Sequence, residues 1–483
     1  MRRKIYEKLL NWKTTASGKC AIMIDGARRV GKSWIAEEFA RSEYEAYLLI
    51  DFSKVSTRVK RYFNEYMEDL DTFFMYLLNT YGVSLPRRKS VIIFDEVQRF
   101  PRAREAIKWL VADGRYDYIE TGSLISVNKN VRNIVIPSEE RHVEMFPMDF
   151  EEFLWALGRS NPMEPLEFHF DREKPLDAGL HETMMDLFRQ YLVVGGMPQA
   201  VETFVQTHDL DAVDRVKRDI LALYRADIHK FAGALRPKVL SMFNLIPAEL
   251  AKHEKKFTLS DVKKGARMRD LDAALEWLKG AMTVNVCYAA SEPTVALGMK
   301  TDAVSFKCYL GDTGLLLSMA FEPAAMRAGK IHERLLHDSL SLDKGMLMEN
   351  IVAQMFRAAG HGLFFFSDSD REHKENRMEV DFLLCKPTMT RQHNIIPVEV
   401  KSGRDYETVS LGKFRKKFRD QTQAAVVLHV KNLKVENGIV YLPLYMAPLL
   451  VSRPFQQRGG GLRGPDGCAD CPIRPRNFKE NEK

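Results

Sequence analysis

The sequence reads Gly26-Ala27-Arg28-Arg29-Val30-Gly31-Lys32-Ser33 directly after a short apolar run, 21–24, and before a helical stretch that begins at Trp34. These residues have the spacing G-x-x-x-x-G-K-[ST] of a phosphate-binding loop between a strand and a helix. Glycines let backbone N–H groups turn toward phosphate oxygens, and the positive end of the following helix faces the same anion. We expect Lys32 to reach the β- and γ-phosphates and the Ser33 hydroxyl to hold Mg²⁺. The sequence therefore predicts a site for a nucleoside triphosphate.

Short apolar runs recur around this loop with helical stretches between them. They lie at 21–25, 46–52, 91–95 and 116–121. Continuous apolar strands of this kind are typical of a buried parallel sheet with helices on both faces, the α/β class. Ligands of such sheets bind at the carboxyl ends of the strands, where Gly26 falls.

Two carboxylates, Asp95 and Glu96, end the third apolar run. In phosphate-loop enzymes an acidic residue at this place holds the Mg²⁺ shell, which we expect of Asp95. Glu96 is then placed to orient and polarise the attacking water as the catalytic residue. The next strand ends at Thr121 and Ser123. Either hydroxyl is a candidate for sensing the γ-phosphate or holding the water, and Ser123 is equally suited to cap a helix.

Composition restricts the class of protein. A chain of 483 residues is expected to form about three domains. Its hydrophobic content of 45% is that of an ordinary soluble protein, and a net charge of +7 permits a polyanionic partner without requiring one. No stretch approaches the ~20 apolar residues that span a bilayer, so no membrane partner is expected. Scattered cysteines in apolar runs favour a reduced, cytoplasmic protein.

Several segments together resemble a family of prokaryotic AAA-type ATPases in which a domain of unknown function follows the ATPase. The segments are GARRVGKS, LLIDFS, IIFDEVQRF, IETGSLIS, MFPMDFEEFLWALG, YLVVGGMPQAV, FKCYLGDTGLL, ENIVAQ and PVEVKSG. The resemblance covers nearly the whole chain and implies ATP binding and hydrolysis with Mg²⁺, and a possible homo-oligomer. Where relatives carry Gly-Arg before the fifth strand, this chain has Glu140-Arg141, so the sequence assigns no arginine finger.

Changes in composition divide the chain into five parts. We expect an ATPase core at 1–160, a helical lid at 161–232, a winged-helix-like module at 233–320, a nuclease-like domain at 321–455 and a disordered tail at 456–483. Within the lid, Gly195-Gly196-Met197-Pro198 reads as a turn between helices. We expect its glycines to serve packing and turn geometry rather than chemistry.

The middle module has the pattern of a winged helix. A helix at 240–251, a Thr258-x-x-Asp261 cap, an amphipathic helix at 269–278 and a strand or wing at 282–289 follow one another. Basic residues lie between and on these helices: Lys252, Lys255, Lys256, Lys263, Lys264, Arg267 and Arg269. Such a module binds DNA or serves only as an interdomain joint, and the pattern alone leaves both open.

The third domain carries a second group of charged residues. Glu349 lies on the face of a helix beside apolar residues, where a carboxylate is costly unless it is bound. Strand alternation puts Glu379 and Asp381 on one face, and Glu399 and Lys401 on one face of another strand. An acidic helix residue, then Asp381, then Glu399-x-Lys401 resembles the PD-(D/E)xK pattern of restriction endonucleases and junction resolvases.

The resemblance implies a metal-dependent nuclease site. Asp381 and Glu399 would hold Mg²⁺ through hard oxygen ligands, and Glu349 would complete or steer the metal shell. Lys401 would be catalytic, positioning the water and offsetting phosphate charge. Three carboxylates so close repel one another unless they share a cation, and we expect that cation to be the metal.

Two functions fit these observations better than a third, a partner-binding regulator without turnover, because Glu96 favours turnover over mere binding. In the first, the ATPase controls a metal-dependent nuclease that acts on DNA. In the second, ATP binding and hydrolysis operate a molecular switch, in signalling or defence, and the nuclease-like domain is a scaffold. Cys468-x-x-Cys471 in the tail is half of a zinc pattern, which we interpret as a reducible dithiol rather than a metal site.

Overall fold

A computed structural model describes most of the chain. The described residues are 1–123, 138–252, 254–262, 268–294, 296–321, 344–368, 377–385, 394–422 and 424–453. Lys263, Lys264 and Arg267 of the middle module lie outside them, as does the tail with Cys468 and Cys471.

A five-stranded parallel sheet forms the N-terminal region, in the order β2-β3-β4-β1-β5. Every residue of β1, β3 and β4 is buried, because helices cover both faces. The predicted buried parallel sheet is thus confirmed. Its strands are β1 (Ala21–Gly26), β2 (Ala46–Asp51), β3 (Ser90–Asp95), β4 (Asp117–Gly122) and β5 (Glu140–Met145).

The side-chain alternation of these strands separates two apolar cores. Ile92 and Phe94 of β3 face one core, and Val91 and Ile93 face the other. The first core is closed by α3, α4 and α5 and the second by α1 and α2. These helices are α1 (Ile5–Ala16), α2 (Lys32–Glu43), α3 (Thr57–Glu65), α4 (Leu70–Tyr81) and α5 (Pro101–Asp113).

A group of helices follows the sheet. The first begins with a capping box in which Asp149 and Glu152 satisfy each other's backbone N–H groups. At the turn between the third and fourth helices, a Cβ on Gly196 would lie 2.1 Å from the carbonyl oxygen of Met148, so only glycine fits. The expectation that these glycines serve packing is confirmed. The helices are α6 (Phe150–Ala156), α7 (Glu164–Arg172), α8 (Ala178–Val194), α9 (Pro198–Thr207) and α10 (Leu210–Phe231).

The middle of the chain has the expected order of helices and strands. Its antiparallel pair, β6 and β7, does not stand alone, because β6 also pairs with a strand of the C-terminal region in the order β7-β6-β8-β9. This sheet crosses the boundary expected near residue 320. The elements are α11 (Arg236–Leu250), α12 (Leu259–Val262), α13 (Met268–Gly280), β6 (Val284–Ala290), β7 (Thr301–Leu310) and α14 (Thr313–Ala320).

A second five-stranded sheet, in the order β10-β11-β12-β14-β13, forms the C-terminal region. Its three central strands are parallel and its two edge strands antiparallel. The remaining elements are α15 (Gly345–Ala358), β8 (Phe364–Asp368), β9 (Met378–Val380), β10 (Phe382–Cys385), β11 (Ile395–Val400), α16 (Val409–Lys417), β12 (Ala425–His429), β13 (Lys434–Glu436), β14 (Ile439–Pro443) and α17 (Leu449–Ser452).

Short 3₁₀ helices complete the secondary structure, at Val97–Arg99, Gly233–Leu235, Leu297–Met299 and Leu444–Met446. Within the described residues, no helix has the length and apolarity needed to cross a membrane. Cys287 and Cys308 are free thiols buried in the β6–β7 pair, whereas Cys20 and Cys385 are half-buried.

Candidate functional site

The phosphate loop connects β1 to α2. Gly31 has φ +101°, a conformation that side chains disfavour, and it leads directly into Lys32, the first residue of α2. The Lys32 ammonium is buried and donates hydrogen bonds to the carbonyl oxygens of Gly26 and Ala27, both at 2.9 Å. The loop thus holds its lysine within itself, at the place where the motif predicts phosphates.

Burial of Lys32 changes its electrostatics. Desolvation lowers the pKa of Lys32 to about 8, against the nearby carboxylates of Glu96 and Asp95, which favour the charged form. The charge of Arg28 lowers the pKa further. The lysine therefore lacks a full complement of anions, and bound phosphates would supply them.

The hydroxyl of Ser33 lies against the carboxylate of Asp95, at the end of β3. Its Oγ donates to Oδ1 of Asp95 at 2.7 Å, and the hydroxyl of Thr121 donates to the same oxygen. Ser33 and Asp95 thus present adjacent hard oxygen ligands, which fit Mg²⁺. Thr121 is the hydroxyl that the strand order brings to Asp95, because β4 lies between β3 and β1.

Glu96 has a left-handed backbone conformation, with φ 54°. Its backbone N–H donates to Oγ1 of Thr121 at 3.3 Å, and Nε2 of Gln98 donates to its carboxylate at 2.7 Å. A non-glycine residue in this region is uncommon and is often found where a functional side chain must be aimed. The carboxylate lines the same cavity as Lys32 and Ser33.

This cavity, which we call the nucleotide cavity, has a volume of about 510 Å³. Besides the phosphate loop, its walls come from the N-terminal segment, through Met1 and Arg3, and from the start of α9, through Pro198 and Gln199. Arg3 is fixed there because its guanidinium donates to the carbonyl oxygen of Val30 at 2.9 Å. The volume is that of a typical small-molecule pocket, and its walls join three separate parts of the chain.

The start of the loop is held by a charged pair that sequence reasoning missed. Nδ1 of His142, on the edge strand β5, lies 2.5 Å from Oδ2 of Asp25, the residue before Gly26. Hydrogen bonds to Asp25 and then Glu140 raise the pKa of His142 to about 9. The histidine is therefore cationic at neutral pH and stabilises the end of β1 on which the loop stands.

The second charged group is centred on a lysine that the sequence interpretation did not include. Lys307 of β7 is fully buried, and its ammonium lies 2.7 Å from Glu379, 3.5 Å from Asp381 and 3.6 Å from Glu349. Burial opposes its charge, but the three carboxylates more than offset this effect and raise its pKa well above the usual value. We call Lys307 with these three carboxylates the acidic cluster.

Glu349 of the acidic cluster has two further partners, which lie outside the cluster. The ammonium of Lys255 contacts its carboxylate, and the hydroxyl of Tyr309 donates to Oε2 at 3.0 Å. Although burial opposes ionisation, Lys307 and Lys255 hold the pKa of Glu349 below its usual value. The helix carboxylate that the sequence marked as costly is thus neutralised by lysines of the middle module.

Asp381 directly precedes β10, which pairs with β11, the strand that carries Glu399. Phe382 pairs with Val398, and the backbone N–H of Val400 donates to Oδ2 of Asp381 at 2.9 Å. Burial, and then the charge of Glu349, raises the pKa of Asp381 to about 7. Lys401 lies 2.9 Å from the buried carboxylate of Glu399, so this residue pair comes together.

The acidic cluster differs from the expected metal site in its cation. The sequence interpretation made a divalent metal the cation shared by Asp381, Glu399 and Glu349. In the structure the ammonium of Lys307 lies between Glu349 and Asp381, and the third carboxylate beside it is Glu379. Within the described ranges, no group of three or more His, Cys, Asp or Glu residues is arranged to hold a metal ion. The carboxylates of the acidic cluster could hold a metal ion only if the ammonium of Lys307 moved away from them.

Two of the basic residues that are candidates for DNA contact form ion pairs within the chain. The ammonium of Lys252 lies 2.6 Å from both Glu249 and Asp261, and Lys255 is bound to Glu349. These ion pairs, together with the sheet that joins β6 to β8, favour an interdomain joint over a DNA-binding surface for this part of the module.

One hydrogen-bonded network connects the turn before α9 to the C-terminal region. Oδ2 of Asp312 accepts from the backbone N–H of Gly196 at 2.6 Å and from Nε2 of Gln354 at 3.3 Å. Gln354, on α15, also donates to the hydroxyl of Tyr191 at 3.0 Å. The same helix carries Glu349, so the nucleotide cavity and the acidic cluster are joined through packed, fully buried groups.

With this geometry described, comparison with known proteins identifies the N-terminal region. Residues 19–154 match the model of the AAA domain family. The N-terminal region is an AAA-type ATPase domain. Residues 185–325 match the domain of unknown function DUF8612, and residues 344–447 match the domain of unknown function DUF4143. No curated protein matches the chain.

Solved structures similar to this chain include a Walker-type ATPase, an ORC complex with DNA and a Cdc6p protein. A Walker-type ATPase of Pyrococcus abyssi is 13% identical, with 66% of this chain and 96% of that chain covered and a TM-score of 0.39. Drosophila ORC bound to DNA is 13% identical over 65% and 94%, with a TM-score of 0.27. Cdc6p from Pyrobaculum aerophilum is 10% identical over 69% and 92%, with a TM-score of 0.22. These TM-scores are too low to carry an argument, so the assignment depends on the family match and the loop geometry.

Proposed function

We propose that this protein is an ATP-hydrolysing molecular switch whose nucleotide state acts on its C-terminal domain. The observation that carries the proposal is the convergence of Lys32, Ser33 and Glu96 on one cavity at the carboxyl ends of β1 and β3, with Asp95 hydrogen-bonded to Ser33. These are the groups that bind a triphosphate, hold its metal and activate water.

Each residue has a definite part in hydrolysis. Lys32 leaves the carbonyl oxygens of Gly26 and Ala27 and binds the β- and γ-phosphates. Ser33 and Asp95 would hold Mg²⁺, which neutralises charge on the phosphates when bound. Glu96, held by Gln98, accepts the proton of the attacking water.

Support for a switch comes from the network around Asp312. Gly196, bound to Asp312, lies two residues before Pro198, where α9 begins at the wall of the nucleotide cavity. A shift of α9 on nucleotide binding would therefore change the hydrogen bonds of Gln354 on α15. Lys255 and Lys307 lie against the carboxylate of Glu349, so the chain itself supplies cations to the acidic cluster.

Replacing Glu96 tests the ATPase part of the proposal. Glu96→Gln is expected to bind ATP normally and to hydrolyse it at least ~10²-fold more slowly, because a general base is lost while the shape of the side chain is kept. Phosphate release measures the rate, and a fluorescent ATP analogue measures binding. Glu38→Gln, the same change on an exposed part of α2, is the matched control.

Turnover of Glu96→Gln at the wild-type rate would remove Glu96 from the mechanism. A wild-type protein that neither binds nor hydrolyses ATP would overturn the proposal as a whole.

A second candidate function is a metal-dependent DNA nuclease under ATP control. The observation that favours it is the pairing of β10, which follows Asp381, with β11, which carries Glu399, together with the contact between Lys401 and Glu399. Asp381→Ala is then expected to remove Mn²⁺ binding and any cleavage of plasmid or branched DNA, and to leave ATP hydrolysis unchanged. Calorimetry with Mn²⁺ and a cleavage assay measure the two effects.

Asp420→Ala, a change at an exposed aspartate of the same domain, is the control for this comparison. Equal Mn²⁺ affinity in the wild type and Asp381→Ala would end the nuclease candidate and leave the switch.

A further inference from the structure

Arg28, the third residue of the phosphate loop, is held by α10 through both its main chain and its side chain. Its guanidinium lies 2.6 Å from Oδ1 of Asp227, and its carbonyl oxygen accepts from the hydroxyl of Tyr224 at 3.1 Å. The two partners are 199 and 196 residues away in the chain. No other contact described above ties the loop itself to this helix.

The position of Arg28 places a cation beside the groups that would act on ATP. Arg28 lines the nucleotide cavity with Lys32 and Glu96. It also lines a smaller neighbouring cavity, of about 70 Å³, together with Glu96 and Asp227. Its guanidinium thus forms part of the wall between the triphosphate site and α10, and it is 43% exposed, free enough to move.

The other arginines in or near the nucleotide cavity are less well placed than Arg28 to contact the γ-phosphate. Arg3 is buried and bound to Val30, Phe146 and Glu152, so it cannot turn to a phosphate. Arg29 does not line the smaller cavity that contains Glu96. Arg99, near Glu96, does not line the nucleotide cavity itself.

We propose that Arg28 is a catalytic arginine supplied within the chain, which leaves Asp227 to bind the γ-phosphate of ATP. The inference depends on the ATPase function proposed above. A guanidinium has five N–H donors and binds phosphate oxygens in pairs, and the γ-phosphate carries more charge than one carboxylate. When ATP is absent, Asp227 holds Arg28 and connects α10 to the loop.

The chemical step is the hydrolysis of ATP by water to ADP and inorganic phosphate. The oxygen of water attacks the γ-phosphorus, and the bond to the β–γ bridging oxygen breaks, so that ADP leaves. The proton of the water passes to Glu96. Charge that builds up on the γ-oxygens and the leaving oxygen in the transition state is stabilised by the guanidinium of Arg28.

Three variants of the full chain test the assignment. Arg28→Ala is expected to lower kcat for ATP about 10³-fold, the lower end of the contribution of an arginine finger, while ADP affinity stays within about twofold, since ADP has no γ-phosphate. Asp227→Ala removes only the competing carboxylate and is expected to leave kcat at or above the wild-type value. Arg225→Ala, which removes a neighbouring arginine of α10 bound to Asn244, is the control.

The results separate a catalytic role from a structural one. If Arg28 served only to connect α10, Arg28→Ala and Asp227→Ala would lose the same activity and would be fully coupled in a double-mutant cycle. That result would overturn the inference, as would a loss confined to Arg29→Ala. A wild type without ATPase activity would instead overturn the proposed function, so the two failures are distinguishable.

Discussion

Lys32→Ala is expected to abolish ATP binding. The motif places the ammonium of Lys32 at the β- and γ-phosphates, and in the structure this ammonium donates hydrogen bonds to the carbonyl oxygens of Gly26 and Ala27. Without it the β- and γ-phosphates lose their main charge-assisted contact. Titration with a fluorescent ATP analogue measures the loss, which we expect to exceed about 10²-fold in Kd.

The pKa of Lys32 adds a dependence on pH to this prediction. The pKa is about 8 in the free protein because of burial, and bound phosphates raise it. ATP affinity is therefore fully present below pH 8 and weakens as the pH rises above 8, where the free lysine loses its proton before ATP binds. Lys32→Ala should show no such decrease, because it has no ammonium to titrate.

Lys89→Ala, which removes an exposed lysine paired with Glu45, should bind ATP like the wild type. A Lys32→Ala variant that binds ATP within a few-fold of the wild type would show that the motif does not hold the nucleotide here.

The parts of the site that sequence could predict are local. The phosphate loop and the strand that ends in Asp95 and Glu96 are determined by short apolar runs, glycine spacing and the carboxyl ends of parallel strands. These features need no knowledge of distant residues. The same holds for Gly196, because a glycine pair before a proline signals a close turn.

The partners of Arg28 and Lys307 could not be predicted in this way. Asp227 lies on a helix 199 residues from Arg28, and nothing in the spacing of either residue points to the other. Lys307 did give a signal, since it is a lysine in the apolar strand 306–310. A buried ammonium must have anions near it, and the sequence interpretation assigns two of the carboxylates that contact it, Glu349 and Asp381, to a metal site.

The ion pairs of Lys307 bear directly on whether the C-terminal domain binds a metal. A metal and an ammonium compete for the same space among Glu349, Glu379 and Asp381. The lysine belongs to β7, a strand of the sheet that joins the middle and C-terminal regions. The acidic cluster therefore has a cation even without a metal, because the ammonium of Lys307 supplies it. Removing the lysine would leave buried carboxylates without this partner.

Lys307→Met is accordingly expected to lower the free energy of unfolding by about 3–5 kcal/mol at pH 8, the usual cost of breaking a buried ion pair by removing one partner. Methionine keeps the length of the side chain, so the loss is electrostatic. The unpaired carboxylates take up protons in the folded protein at higher pH than in the unfolded chain. The difference from the wild type should therefore shrink as the pH falls toward 5. Urea titration at several pH values measures it, with Lys300→Met, an exposed change in the same β6–β7 hairpin, as the control.

The same variant tests which cation the acidic cluster uses. Once Lys307 is gone, three neighbouring carboxylates form a set of hard oxygen ligands, so Mn²⁺ should stabilise Lys307→Met against urea and leave the wild type unchanged. If Mn²⁺ stabilises the wild type equally, metal displaces the lysine in the native protein and the nuclease candidate gains its missing cation. If Mn²⁺ acts only on the variant, the ammonium of Lys307 is the native cation, and the cluster is a joint between the middle and C-terminal regions.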